Sequence, residues 1–464
     1  MVRTYLLQSG MNKGKRDKVL SVLEEYRILC GKIAKLQWYN FFKKGEKFNR
    51  NIDLKPLQST LSERYKRNSA YQVVGCLNSF LSNVQNKFKE IVYGSKLSEE
   101  TRKHLFQINK RQIWLSKEHE LFSSEELFLA KKIFKQILGW RRKPNFEHQN
   151  MLLNSNVAKI FPVDKTKTTE FDFWVQLSTL QSGKPIMLPL KSNKYFDEKA
   201  GEICEAIQIN VNKRGELTTS LMKEMQQQET EFKEEKIAID IGLRTLFALN
   251  NGELYGRNFI DRLKHYDNII TKLAKNRQQQ GFKTRSKRYD LLVFRFRAWI
   301  KNEVNRTLNR IWRKHKPKGI VIENLNFSHP DLSKQMNRLL RNFGKSIIEE
   351  KLKSLEENYG TKITKINPAY TSQTCADCGY VSKENRKAQD KFECENCNKK
   401  VHADVGGARN HFHRSSMKNI TLHTHKNSVL RKLVMGFVER IPRPNSWADG
   451  LLSENPYFKE VWKI

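Results

Sequence analysis

Four of the seven cysteines stand as two Cys-x2-Cys pairs, Cys375/Cys378 and Cys394/Cys397, with fifteen residues between the pairs. An x2 spacing lets both thiolates of a knuckle face one ion, and two knuckles make a tetrahedral S4 site that suits a structural Zn2+. Gly379 fits the tight turn after the first pair. Four thiolates close the shell, so this metal would hold the fold and do no chemistry. Two disulfides are the alternative, which a reducing compartment disfavours. His402 reads as a surface or nucleic-acid-facing residue rather than a fifth ligand. Asp404 follows seven residues after Cys397, at a predicted helix start.

Two more acids stand in unfavourable places. Asp240 lies inside the apolar run IAIDIG, and Glu323 ends the apolar run IVIE. An ionised carboxylate in a buried strand is costly unless it is paired or binds a metal. Gly242, two residues after Asp240, allows a close backbone approach. Taken singly, Asp240 can be a satisfied core acid, Glu323 a solvated strand end and Asp404 a helix N-cap. Their order is more informative: a hairpin strand with Asp, a later strand with Glu, a late helix with Asp. That order suits a ribonuclease-H-like sheet whose edge gathers three carboxylates. Hard oxygen ligands select Mg2+ or Mn2+, and two such ions suit phosphodiester hydrolysis.

The elements that must carry these residues are legible as periods. Residues 1–12 read as one strand, and Lys15 to about Leu138 as helical, with Val19, Val22, Leu23 and Tyr26 on one face. Ser123 and Glu126 form a capping box opening SSEELFLAKKIFKQIL. Gly139 and Pro144 break the pattern, and residues 151–224 turn mostly to strand, with alternation at Phe171, Phe173, Val175 and Leu177 and at Ile207, Ile209 and Val211. Gln226–Glu235 reads as a polar linker. Strands are expected at 236–242, at 245–250 and from about Glu253, then a basic helical stretch over 261–318. A strand in GIVIENLNF (319–327), a helix in DLSKQMNRLLRNFGKSIIEEKLKSLEENYG and a strand in TKITKIN follow.

The chain has 464 residues, enough for about three domains. Its 86 basic and 49 acidic residues give a net charge of +37, which points to a polyanionic partner. No run of about 18 apolar residues could span a bilayer, and the N-terminus has no apolar signal core. With no secretion signal and an odd cysteine count, a reducing cytoplasm is expected. The isolated Cys30, Cys76 and Cys204 read as buried small hydrophobes. Trp38, Tyr39, Phe41 and Phe42, beside Lys43 and Lys44, could stack on nucleic acid, but core packing is favoured.

The stretches AIDIGLRTLFAL, GIVIENLNF and YTSQTCADCG…FECENC…HADVGGARN resemble the three split RuvC motifs and the zinc ribbon of TnpB, the RNA-guided nuclease of insertion sequences, and of the miniature type V CRISPR effectors. The resemblance covers roughly residues 236–415; the N-terminal half matches in layout only. It implies a multidomain α+β protein: an RNase H-like (RuvC) α/β nuclease domain with a zinc-ribbon insertion, preceded by a β-rich wedge domain and a helical recognition domain. The expected boundaries are 1–12 and 145–230 for a barrel-like wedge and 13–144 for the recognition domain. The nuclease would span 236–369 and 401–430, the zinc module 370–400 and a tail 431–464.

The activity implied is guide-RNA-directed DNA cleavage. A guide RNA pairs with double-stranded DNA beside a short flanking motif and displaces a single strand, in the cytoplasm of a bacterium or archaeon. The implied catalytic residues are Asp240, Glu323 and Asp404, with two Mg2+ or Mn2+ ions, and Arg386 in the Asn385-Arg386 pair between the knuckles. Where many members carry a Tyr/Glu-Asn-Ala-Ala type run after the last Asp, this chain has Val405-Gly406-Gly407-Ala408, and two glycines are expected to loosen the helix start. Three rivals are an RNA-guided DNA-binding repressor that does not cut, a guide-independent RuvC-like nuclease, and a zinc-ribbon binding module with no catalysis, which leaves the acid inside IAIDIG unexplained. Monomer and homodimer both fit.

Overall fold

The computed structural model describes residues 1–163, 170–212, 215–283, 285–324, 330–440 and 454–462. The chain is multidomain α+β and divides into two compact units, Met1–Gln226 and Gln227–Ile464. The division falls at the start of the expected linker.

In the first unit, strand β1 (Val2–Ser9) precedes helices α1 (Lys13–Tyr39), α2 (Glu63–Tyr93), α3 (Glu99–Arg111) and α4 (Ser124–Trp140). Caps fix the helix starts: Asn12 accepts from the Lys15 amide, and Ser123 and Glu126 make the reciprocal capping box. In α1, Val19, Val22, Leu23, Tyr26, Leu29, Cys30 and Ile33 form one buried stripe at helical spacing. Each such aliphatic side chain contributes about 1.5–3 kcal/mol by leaving water. Then follow β2 (Met151–Asn154), β3 (Ala158–Pro162), β4 (Phe173–Leu177), β5 (Ile186–Lys191), the short α5 (Lys194–Asp197), β6 (Glu202–Val211) and β7 (Leu217–Glu224). All seven strands join one antiparallel sheet in the order β2-β6-β7-β1-β5-β4-β3, so the N-terminal strand sits at its centre. One buried core runs through the helices and this sheet.

Trp38 and Phe41 are buried in that core, as the packing reading expects, whereas Tyr39 and Phe42 are exposed. Lys143 Nζ lies 4.8 Å from the Trp38 ring centre and 4.6 Å from that of Phe42. Cys30 is buried, but Cys76 and Cys204 are only half-buried, against the expectation for all three.

The second unit is built on β8 (Glu234–Asp240), β9 (Thr245–Leu249), β10 (Leu254–Arg257), β11 (Pro317–Glu323) and β12 (Lys362–Ile366). Helices α6 (Phe259–Gln279) and α7 (Lys287–His315) separate β10 from β11, and α8 (Lys334–Tyr359) separates β11 from β12. The strand order is β10-β9-β8-β11-β12; β8, β11 and β12 run parallel, and β9 is antiparallel to both neighbours. This is the order and sense of a ribonuclease-H-like sheet. The basic helical stretch is two helices, and the last residues of GIVIENLNF, 325–327, lie outside the described residues, as does the tail segment 441–450.

Side chains alternate across this sheet. Ile237, Ile239, Ile320 and Ile322 face a core shared with residues of α6, α7 and α8. Ala238, Val321 and Ile366 face the other way, against Phe412 of α9 (Ala403–Arg414). Between β12 and α9 stands the cysteine-bearing insertion, with the hairpin β13 (Lys391–Glu393) and β14 (Lys400–His402). Helix α10 (Lys426–Val438) and the short α11 (Pro456–Trp462) pack beside it around Tyr380, Phe437 and Phe458.

Candidate active site and cysteine cluster

Asp240 is the last residue of β8 and Glu323 the last of β11. The parallel register pairs Ile322 with Ile239, so the two carboxylates stand one step beyond, at the same end of neighbouring strands. Alternation puts Asp240 on the Ala238 face and Glu323 on the Val321 face, the side that Phe412 of α9 covers. Asp404 sits in the first turn of α9. A cleft of about 640 Å³ is lined by Asp240, Glu323, Asp404, Arg386, Arg244 and Arg257, among others.

The three carboxylates are not equivalent. Ligand atoms of Asp240, Glu323 and His411 all lie within 4.8 Å of one another, the one such group among the described residues besides the cysteines. Asp404 stands beside that group: its Oδ2 is 3.5 Å from where a Cβ on Gly242 would be. Gly242 is needed there, because the same Cβ would stand 2.8 Å from the Thr245 carbonyl oxygen.

Electrostatics follow from this crowding. Burial pushes the Asp240 carboxyl up, against the Ile241 amide that donates to its Oδ1 at 3.0 Å and the Arg386 charge. Burial and then the Asp240 charge push Glu323 up. Burial, then the Asp240 charge, raise Asp404 to about 6, while His402 and Arg386 oppose the rise. Carboxylates gathered out of water at such separations ask for a cation between them. The donor set, hard oxygens with one imidazole, fits a divalent ion.

His411 was not singled out by the sequence. It lies seven residues after Asp404, two helical turns along the same face, and only 1 % of it is exposed. Its Nδ1 is 3.1 Å from the Ile239 carbonyl oxygen, and its Nε2 is 3.9 Å from Asp240 Oδ1 and 3.7 Å from Glu323 Oε2. Burial pulls its pKa down to about 4. Arg244 and Arg257 on the cleft wall were also missed; as surface arginines on a chain of this charge they carry no local signal.

Helix α9 runs unbroken through Gly406 and Gly407, against the expected loosening. Both glycines are buried, and a Cβ on Gly407 would stand 2.8 Å from Asp240 Oδ2. Tertiary packing overrides their low helix propensity, and the missing side chain is what lets α9 approach β8.

The four Sγ atoms of Cys375, Cys378, Cys394 and Cys397 lie within 4.8 Å of one another. Cys375 and Cys397 are 3.7 Å apart and Cys378 and Cys394 3.6 Å. A tetrahedral ion with bonds of ~2.3 Å sets sulfurs ~3.8 Å apart, so the cluster has the size of a metal site. Gly379 takes φ +85° after the first knuckle, a conformation that a side chain disfavours. The buried Asn385 ties the knuckles together: its Nδ2 donates to the carbonyls of Gln373 and Tyr380, and its Oδ1 accepts from the Glu395 amide. That anchors Arg386, whose guanidinium donates to the Gln389 carbonyl and stands 4.0 Å from Asp404 Oδ1. Asn410 of α9 donates to the carbonyls of Thr371 and Thr374, joining α9 to the first knuckle. His402 is half-buried and lines the cleft rather than lying on the open surface.

Residues 346–411 match the family described as Cas12f1-like, TNB domain. Over 74 residues the chain is 38 % identical to the CRISPR-associated endodeoxyribonuclease Cas12f1 of Sulfoacidibacillus thermotolerans, covering 16 % of this chain and 18 % of that one. Over 51 residues it is 51 % identical to the protein named "Putative RNA-guided DNA endonuclease InsQ" of Escherichia coli (strain K12), covering 11 % of this chain and 13 % of that one. Over 182 residues it is 29 % identical to the TnpB-like protein aq_aa05 of Aquifex aeolicus (strain VF5), covering 34 % and 58 %. The chain therefore spans between 13 and 58 % of the length of these relatives. The resemblance to TnpB-type and miniature type V proteins is borne out. No described helix is long and apolar enough to cross a membrane.

Proposed function

We propose that the chain is a guide-RNA-directed DNA endonuclease that cuts in the cleft lined by Asp240, Glu323, Asp404 and Arg386. The observation that carries this reading is the convergence of carboxylates from β8, β11 and α9 on one cleft that Arg244, Arg257 and Arg386 also line. The guide and the substrate are suggested by the names of InsQ and Cas12f1. A partner of this charge fits a net +37.

Asp240 and Glu323 would hold divalent ions from adjacent strand ends, with Asp404 completing the set from α9. Mg2+ or Mn2+ bound there would supply Lewis-acid charge for hydrolysis of a phosphodiester. Arg244 and Arg257 would draw the DNA backbone into the cleft, and Arg386 would grip the phosphate to be cut with its planar fork. The cysteine cluster would take Zn2+ and hold the loop that carries Arg386. The β-rich segments 1–12 and 145–230 would act as wedge and the helices of 13–144 as recognition domain. The nuclease proper would be 236–369 with 401–430, interrupted by the zinc module 370–400 and followed by the tail from 431. The enzyme would work in the cytoplasm on double-stranded DNA.

The test is to purify the protein with its nucleic acid, sequence the RNA, and assay Mg2+-dependent cleavage of matching DNA with and without that RNA. Cleavage that needs the RNA and is lost in Asp240→Ala, with RNA still bound, supports the proposal. Cleavage without RNA would move the reading to a guide-independent nuclease, and target binding without cleavage to a repressor.

A further inference from the structure

We propose that His411 is a nitrogen ligand of the cation site, coordinating through Nε2 alongside Asp240 and Glu323 and giving the site a preference for Mn2+ over Mg2+. The inference rests on the reading of the cleft as a cation site and adds a residue of different chemistry.

The argument starts from the other ring nitrogen. Nδ1 lies 3.1 Å from the Ile239 carbonyl oxygen, an atom that only accepts, so Nδ1 carries the proton and donates. That leaves the neutral ring with its lone pair on Nε2. Nε2 faces Asp240 Oδ1 at 3.9 Å and Glu323 Oε2 at 3.7 Å, too far for hydrogen bonds and with no proton of its own to offer. A lone pair aimed at two carboxylates repels them unless a cation sits between. The separations suit three donors around one ion in the cleft that all three residues line, with the ring almost wholly shielded from solvent. A backbone carbonyl holding Nδ1–H while Nε2 binds metal is the usual support of a histidine ligand.

The backbone explains the placement. Helix α9 covers the β8 end closely because Gly407 has no side chain against Asp240. One turn further on, the same face of α9 brings residue 411 over the Ile239–Asp240 peptide. Hard oxygens alone suit Mg2+; an added imidazole raises affinity for later divalent metals, Mn2+ first among the plausible nuclease ions.

The experiment uses the full-length, zinc-loaded protein and Mn2+ alone as probe. Loss of the free Mn2+ paramagnetic resonance signal counts binding, and electron spin-echo modulation reports nitrogen on the bound ion. We expect 14N modulation in the wild type, its loss in His411→Leu with Mn2+ still bound, and its retention in His402→Gln. Mn2+ affinity should fall about tenfold or more in His411→Leu, with a smaller fall for Mg2+. Bound Mn2+ without nitrogen modulation in the wild type overturns the proposal, and that measurement needs no variant to fold. Modulation that follows His402 overturns it too. Binding unaffected by Asp240→Asn would instead overturn the cation site itself, and this proposal with it.

Discussion

Gly407 lies so close to Asp240 that a Cβ on it would stand 2.8 Å from the carboxylate Oδ2 and 3.2 Å from its Cγ. At neighbouring Gly406 the nearest obstacle is a methyl of Val401, at 3.3 Å. Gly407→Ala should therefore push α9 off β8 or turn the Asp240 carboxylate away, costing about 1–3 kcal/mol and most of the cleavage. Gly406→Ala should be near neutral, because helix propensity returns roughly 0.5–1 kcal/mol against a small shift of Val401. Thermal melts and cleavage assays of the pair check this; equal effects would contradict it.

The crowded carboxylates make a pH prediction. Asp240, Glu323 and Asp404 all have folded pKa values above their ordinary ones, Asp404 at about 6 against 3.8. Between those two values the native state binds more protons than the unfolded chain. Stability therefore falls as pH rises through that window, unless a cation replaces the protons. Without added Mg2+ or Mn2+, Asp240→Asn should gain stability over the wild type from pH 5 to pH 7.5, and Mn2+ should shrink the gain. Calorimetry of the two proteins at both pH values measures it.

Much of this site can be read in the sequence, for one physical reason. A carboxylate inside an apolar run is anomalous in one dimension, so Asp240 and Glu323 stand out without a fold. His411 does not, because HFHR at the end of an amphipathic helix reads as ordinary packing; only its i+7 relation to Asp404 hinted at a shared face. The glycines misled because propensity is local, whereas their use is a contact with a strand 167 positions earlier, Gly407 against Asp240. In the first unit the change of period near residue 144 marks helix from strand. The central place of β1, between β7 and β5, is a pairing across about 180 residues or more that no local pattern encodes.

Zinc should be one per chain by elemental analysis, held by the cysteine cluster. Cys378→Ser should lose the metal and unfold the knuckles, since a structural zinc contributes on the order of 10 kcal/mol to such small modules. Cleavage should vanish with it, because Arg386 is held through Asn385 between the two knuckles. A variant that keeps both zinc and cleavage would contradict this account of the insertion.

Arg386→Ala should lower the cleavage rate about 100-fold with target binding little changed, as for loss of a group that stabilises developing charge. Arg386→Lys should recover only part, because an ammonium lacks the planar fork. Single-turnover rates measured beside target affinity separate the two; a loss of affinity alone would make Arg386 a plain phosphate contact.

The most direct measurement is anomalous diffraction at the manganese edge from crystals soaked in Mn2+. The account predicts a peak within ~2.2 Å of oxygens of Asp240 and Glu323, beside Asp404, separate from a zinc peak among the four cysteines. A zinc peak with no manganese anywhere near Asp240 and Glu323 would contradict it.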